Sequence, residues 1–330
     1  MPHLTITLFG KPSIRYGDDD LDGCEASKVQ ELLCYLLLHR NRPHARETLA
    51  SLLWGNACTT AQSKKYLRKT IWQLQTALNP FPALSEGRLL LVEPDWIELR
   101  PISELRLDVA MLEEAYAAVK GMPGTKLDED AALILDAAVR LYRGYALENW
   151  YQEWCLCERE RLHQIYLILL DKLTSYSEAR HAYEVGLSYG RLILQYDRAR
   201  ERTHQQMMRL YYLSGDRTGA LRQYERCLRA LEEELDVGPA HSTTTLYERI
   251  RQDRALGQTG IEPSEADPDD AVERVAALLH QIQKGLEGLQ LQVRHALSAN
   301  GIYGSGPGGG EHESFARRTK ERGAGPERTP

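Results

Sequence analysis

The chain has no excess of positive charge: 41 Lys and Arg stand against 47 Asp and Glu, a formal net charge of -6 over 330 residues. A protein that coats nucleic acid without selectivity is basic as a whole, so any contact with phosphate here must come from a local patch. Cysteine occurs six times, as Cys24, Cys34, Cys58, Cys155, Cys157 and Cys227, never as CxxC and never at metal-ligand spacing with histidine. That usage points to reduced, mostly buried thiols of a cytosolic protein. The longest strongly apolar stretch, around Leu32 to Leu38, is far too short to span a bilayer. MPHLTITLFG also lacks the cationic start and apolar run of a signal peptide, so the expectation is a soluble, cytoplasmic protein without a membrane partner.

Catalytic signatures are missing as well. Gly121 to Lys126, GMPGTK, superficially resembles a phosphate loop, but a Walker motif needs Gly-Lys-Ser/Thr after a strand, and this is a turn between helices. His39, His44, His163, His181 and His312 lack spacings such as H-E-x-x-H and read as surface residues. No Ser or Cys stands in a G-x-S-x-G setting. Neither enzyme activity nor a cofactor is expected.

What is present begins with Thr59 to Asn79, TTAQSKKYLRKTIWQLQTALN. Thr59 with Gln62 three residues on has the spacing of a capping box, which marks a helix start. Leu67, Ile71, Leu74 and Leu78 share one face that would dock on a core. Opposite them lie Gln62, Lys65, Lys69, Trp72 and Thr76, with Arg68 and Gln73 on the flanks. Lys64, Lys65, Arg68 and Lys69 occur with no acid anywhere in the stretch. An exposed cationic helix face suits phosphate contact, and Arg, Lys and Gln also read base edges in the major groove. The candidate groove residues are Lys65, Arg68 and Lys69, then Gln62 and Trp72, with Lys64 as a phosphate contact nearer the core side. Arg40, Arg42 and Arg46 flank the preceding turn and are either phosphate clamps or solvated loop charges.

Around this helix the order of elements is informative. Residues 4 to 9 alternate as a strand and Ser13 to Tyr16 can form a second, followed by an acidic loop from Asp18 to Asp22. A helix from Ala26 carries Val29, Leu32, Leu33, Leu36 and Leu37 on one face; a shorter one from about Ala45 buries Leu49, Leu52 and Leu53. After the basic helix, Leu89 to Val92 and Trp96 to Leu99 read as a hairpin around Glu93-Pro94-Asp95. Strands, three helices and a hairpin are the order of a winged helix-turn-helix, whose third helix enters the groove. The two acids at the hairpin tip would be repelled by phosphates, leaving Arg88 as the wing's candidate contact. Trp54 and Tyr66 read as packing residues.

Residues 108 to 254 read as all helix, near 108 to 120, 128 to 143, 148 to 175, 178 to 195, 198 to 213, 217 to 235 and 240 to 254. Tyr189, Leu192 and Ile193 recur 35 residues later as Tyr224, Cys227 and Leu228, close to the period of tetratricopeptide (TPR) helix pairs. Periodicity alone leaves an ordinary helical bundle equally open. Residues 255 to 270 are a linker by composition. Beyond it Val272, Val275, Leu279, Ile282, Leu286, Leu289 and Val293 step three and four, the seam of a coiled coil that would either join two copies or fold back on its own domain. The tail, 300 to 330, has a disordered composition.

LFGKPSIRYGD, then LLCYLLLHRNRPHARETLASLLW and YLRKTIWQLQTAL, resemble the response-regulator-type winged helix of SARP-type bacterial activators. From Leu107-Asp108-Val109 onward the chain resembles the bacterial transcriptional activator domain that follows in those proteins. Matching residues include Trp154, Glu158 and Arg159, then Glu201, His204 and Met208, and Gly238-Pro239. The resemblance implies a mainly α fold: a winged helix over 1–105 and an all-α TPR-like domain over 106–254, then the linker, a possible coiled-coil helix over 271–299 and the tail. It further implies an activator that binds double-stranded promoter DNA, recruits RNA polymerase and self-associates as a homo-oligomer. The alternative is a TPR-like interaction or sensor protein whose winged helix binds protein.

Overall fold

The structure, a computed structural model, describes residues 3–20, 27–55, 58–80, 89–100, 102 and 105–253. Alternation at the N-terminus gives β1 (Leu4–Thr7), with Leu4 and Ile6 buried, antiparallel to β2 (Ser13–Tyr16). Gly10 makes the turn possible at φ +81°, a conformation side chains disfavour. Part of the predicted acidic loop is instead a strand, β3 (Asp19–Asp20), paired with β2.

The three helices of the N-terminal part are α1 (Ser27–Leu38), α2 (Arg46–Trp54) and α3 (Thr60–Leu78). Between α1 and α2 lies β4 (His44–Ala45), which the sequence reading missed, and after α3 come β5 (Leu90–Val92) and β6 (Trp96–Leu99). These form a small sheet in the order β4-β6-β5, so the hairpin is tied to the start of α2 through His44↔Ile97 and Ala45↔Trp96. The other edge of β1 is taken by β7 (Leu105–Leu107), parallel to it, which completes a sheet ordered β3-β2-β1-β7.

The helical half follows as α4 (Asp108–Ala118), a 3-10 turn at Gly124–Lys126, α5 (Glu129–Val139), α6 (Glu153–Ala179), α7 (Tyr183–Tyr196), α8 (Glu201–Leu213), α9 (Arg217–Leu235) and α10 (His241–Arg251). The predicted helix from 148 begins later because residues 145 to 148 form a strap on the N-terminal part. Leu147 N–H donates to the Leu8 carbonyl at 2.8 Å, Glu148 N–H to that of Gly10 at 3.0 Å, and Gly10 N–H to Tyr145 at 3.0 Å. Leu147 and Asn149 hold positive φ, and the Arg159 guanidinium gathers the carbonyls of Ala146, Leu147 and Trp150 that a helix would have used. The break after α6 falls at His181, φ +59°, later than the expected 175. Burial does not follow the 35-residue register, which would pair the exposed Leu192 with the buried Cys227; the two helices match one residue closer. Ile193 and Cys227 are both fully buried, whereas their neighbours Leu192 and Leu228 are exposed.

One hydrophobic core runs from Leu4 to Ile193 and takes in both halves. At the seam Tyr35 of α1 meets Trp154 of α6 edge-on at 5.3 Å, and Phe9 lies 4.8 Å from Tyr142. Asp108, at the start of α4, is buried and accepts from the backbone N–H groups of Leu8, Phe9 and Val109 at 2.7 to 2.9 Å. Burial pushes its carboxyl above the usual range, and those N–H bonds pull against the rise.

The histidines correct the surface reading. His44 and His163 are buried, and His39 is half-buried. His181 is exposed, and His312 lies outside the described residues. Among the cysteines, Cys34, Cys155 and Cys227 are buried, Cys58 and Cys157 half-buried, and all five are free thiols; Cys24 lies outside the described residues. No described helix is long and apolar enough to cross a membrane.

Candidate nucleic-acid interface

The basic helix α3 starts as its spacing requires. The Thr59 hydroxyl accepts from the Gln62 N–H, and the Gln62 side-chain oxygen accepts from the Thr59 N–H at 3.0 Å. The amide oxygen of Gln62 is thus committed to the cap, and its NH₂ group is the donor left for a ligand. Leu67, Ile71, Leu74 and Leu78 are buried together with Ser63 and Thr70, which fixes the rotation of the helix against α1 and α2.

That rotation turns Gln62, Lys65, Arg68, Lys69, Trp72 and Thr76 outward. Trp72 is 64% exposed, a large apolar surface left on a helix that already has a buried stripe. Lys65, Arg68 and Lys69 have no ion pair or hydrogen bond among the described residues. Lys64 is different: it is paired with Glu47 of α2, whose carboxyl is held below its usual range by that hydrogen bond and charge. Lys64 is thereby partly neutralised and braces α3 against α2. Tyr66, read as a packing residue, is exposed, its ring 6.1 Å from that of the half-buried Trp54.

The arginines before α2 separate on inspection. Arg40 is not a free loop charge: its Nη2 lies 2.6 Å from Glu113 of α4 with its side chain only 16% exposed, at the seam between the halves. Glu113 is shared with Arg161, which also bonds Glu158 at 2.8 Å, next to His39. Arg46 is drawn to the wing. Its guanidinium donates to the carbonyls of Glu93 and Pro94 at 3.2 and 3.4 Å, and its N–H donates to Asp95 at 2.9 Å. Arg42 is exposed. Arg88, Val272, Val275, Leu279, Ile282, Leu286, Leu289 and Val293 lie outside the described residues.

At the wing, Glu93, Pro94 and Asp95 are exposed, and so is Trp96 at 51%. Trp96 had not been singled out; the alternation of β6, with Ile97 and Leu99 buried, is the signal that turns Trp96 outward. The described residues thus present three unpaired cations and Trp72 on α3, and Trp96 with an acidic tip on the hairpin. Charge of this kind on one exposed helix face can hold phosphates, and the guanidinium of Arg68 has the fork geometry for a guanine edge.

A winged helix packed on helical pairs is the build of a two-part transcription regulator, and comparison with known proteins agrees. Residues 107–251 match the family model "Bacterial transcriptional activator domain". The regulatory protein AfsR of Streptomyces coelicolor is 27% identical over 236 residues, 71% of this chain but only 23% of that much longer relative. The solved structure of Mycobacterium tuberculosis EmbR, in complex with a low-affinity phosphopeptide, superposes with a TM-score of 0.63 over 86% of this chain and 72% of its own. At 19% identity that likeness speaks for the fold: a winged helix followed by a helical-repeat domain. The matched domain and these likenesses support a SARP-type bacterial transcriptional regulator.

Proposed function

We propose that the chain is a sequence-specific activator that binds double-stranded promoter DNA with α3 laid in the major groove. The observation that carries this reading is the trio Lys65, Arg68 and Lys69, exposed and without partners among the described residues on the face opposite the buried stripe. In this reading Lys65 and Lys69 neutralise phosphates and set the register, Arg68 and the Gln62 amide read base edges, and Trp72 packs on the sugar-phosphate wall. Lys64 is a minor contributor because Glu47 already holds it. The wing contributes through its flanks rather than its tip, since Glu93 and Asp95 would face phosphate with like charge.

The same reading divides the chain into a DNA-binding part over 1–105 and an activator domain over 106–254, with residues beyond 270 joining two copies through the Val272 to Val293 seam. RNA polymerase is the partner of the helical half, and the bacterial cytoplasm is where the protein works. Deleting residues 271–330 should lower the number of copies per particle, read as light-scattering mass divided by chain mass. An unchanged number of copies removes the coiled-coil assignment.

The alternative, a winged helix that binds protein, draws support from the exposed carboxylates of the wing tip. The promoter region upstream of the protein's own coding sequence separates the two. DNA reading predicts footprinted sites there and a clear preference over random duplex; equal affinity for both would rule it out.

A further inference from the structure

The repeat in the helical half brings a second charged surface together, far from the reading helix in the sequence. Arg191, Leu194 and Arg198, on and just after α7, and Arg226, Arg229 and Glu233 on α9 all line one cavity of about 490 Å³. Two helices separated in the chain by α8 therefore face the same space, as they do on the concave side of stacked repeats.

The floor of this cavity is a relay of buried polar groups. The ring of His204, 3% exposed, bonds the Arg198 carbonyl through Nε2 at 2.8 Å and meets the Gln223 amide nitrogen at Nδ1, also at 2.8 Å. Gln223, 1% exposed, accepts in turn from Nη1 of Arg226 at 3.2 Å. A neutral ring that donates at Nε2 and accepts at Nδ1 satisfies every member, and burial lowers the His204 pKa in the same sense. Arg226 is thus tethered from below by one N–H and keeps its other donors for a ligand.

Charge in the cavity is unbalanced. Arg198 is met by Glu233 at 2.9 Å and Glu234 at 3.5 Å. Arg191, Arg226 and Arg229 have no carboxylate within ion-pair distance among the described residues. Leu194 and the buried Met207 add an apolar wall. We propose that this cavity binds an acidic stretch of a partner polypeptide, its carboxylates on Arg191, Arg226 and Arg229 and an aliphatic side chain against Leu194 and Met207. Charge complementarity names the occupant, and the size fits it: a recess of a few hundred cubic ångströms takes a few side chains, whereas a duplex needs an open basic face. The inference is independent of DNA reading by α3.

The test is fluorescence anisotropy of the full chain with a labelled decapeptide of glutamate and leucine, against a matched lysine and leucine peptide. The acidic peptide alone should bind. R191E/R226E should weaken it at least about tenfold, whereas R191K/R226K, which keeps the charge, should stay within about threefold. Affinity for promoter DNA should be unchanged in both variants. If R191E/R226E does not fold, as judged by its thermal melt, R191Q/R226Q carries the same expectation. Failure of the acidic peptide to bind at about 1 mM, or equal binding by the charge-reversed protein, overturns the proposal. An equal loss of DNA affinity also overturns it, since the cavity would then be a phosphate contact.

Discussion

Acid should loosen the seam between the winged helix and the helical half, and His39 sets a definite part of the loss. Its ring stands 4.5 Å from that of Tyr35, with Arg42, His44 and Arg161 as charged or chargeable neighbours. A carboxylate oxygen of Glu158 lies 4.0 Å away, which by itself would favour the imidazolium. Glu158, however, is half-buried and already bonded to Arg161 at 2.8 Å, so desolvation of His39 and the nearby arginines prevail and the His39 pKa falls to about 3. A histidine whose folded pKa lies below the ordinary value of about 6.5 takes up its proton more readily in the unfolded chain. Stability is therefore complete above about pH 6.5 and is lost as pH falls towards the folded value. Between pH 7.5 and 5.0 the linkage amounts to about 2 kcal/mol for this one ring. Urea unfolding of wild type and His39→Gln at both pH values measures it. The variant should lose about 2 kcal/mol less than wild type over that interval. The other buried histidines contribute to both proteins and cancel in the comparison. Equal losses would refute the assignment of a neutral His39 in the folded seam.

Three further outcomes test the packing described above. Asp108→Ala leaves the N–H groups of Leu8, Phe9 and Val109 without their acceptor and should cost roughly 3 kcal/mol or more in chemical denaturation, taking about 1–3 kcal/mol for each orphaned group. Gly124→Ala places a Cβ 2.4 Å from the Lys172 carbonyl oxygen and 2.8 Å from Ser175 Cβ, so the turn must leave α6, a loss of about 1–3 kcal/mol in the same assay. Arg40→Ala should lower stability by uncoupling Glu113 while leaving the salt dependence of DNA binding unchanged. A shallower salt slope would restore Arg40 as a phosphate clamp.

Local patterns were legible from residues alone. The capping box of Thr59 and Gln62, the stripe from Leu67 to Leu78 and the hairpin from Leu90 to Leu99 depend on near neighbours, and they appear where the spacing put them. What escaped was set by partners distant in sequence. Nothing near Leu105 announces that it will pair with Leu4, and Arg40 looked like a loop cation because Glu113 lies 73 residues away. The histidines were judged by motif alone, but burial against aromatic rings is a property of the assembled core: Tyr142 donates to or accepts from His163 at 3.0 Å only because α5 and α6 meet. The helix start at 148 failed for the same reason, since the hydrogen bonds of residues 145 to 148 go to Leu8 and Gly10 rather than to a helix.

The central claim is that Lys65, Arg68 and Lys69 deliver the DNA contact. Its most direct test is the affinity of the full chain for its own promoter duplex across a salt series, for wild type and for the protein with all three changed to alanine. Each phosphate contact contributes about 0.9 to the slope of log affinity against log salt, so the triple variant should have a slope shallower by about two to three units and lose its preference over random duplex. An unchanged slope with preference intact would contradict the account.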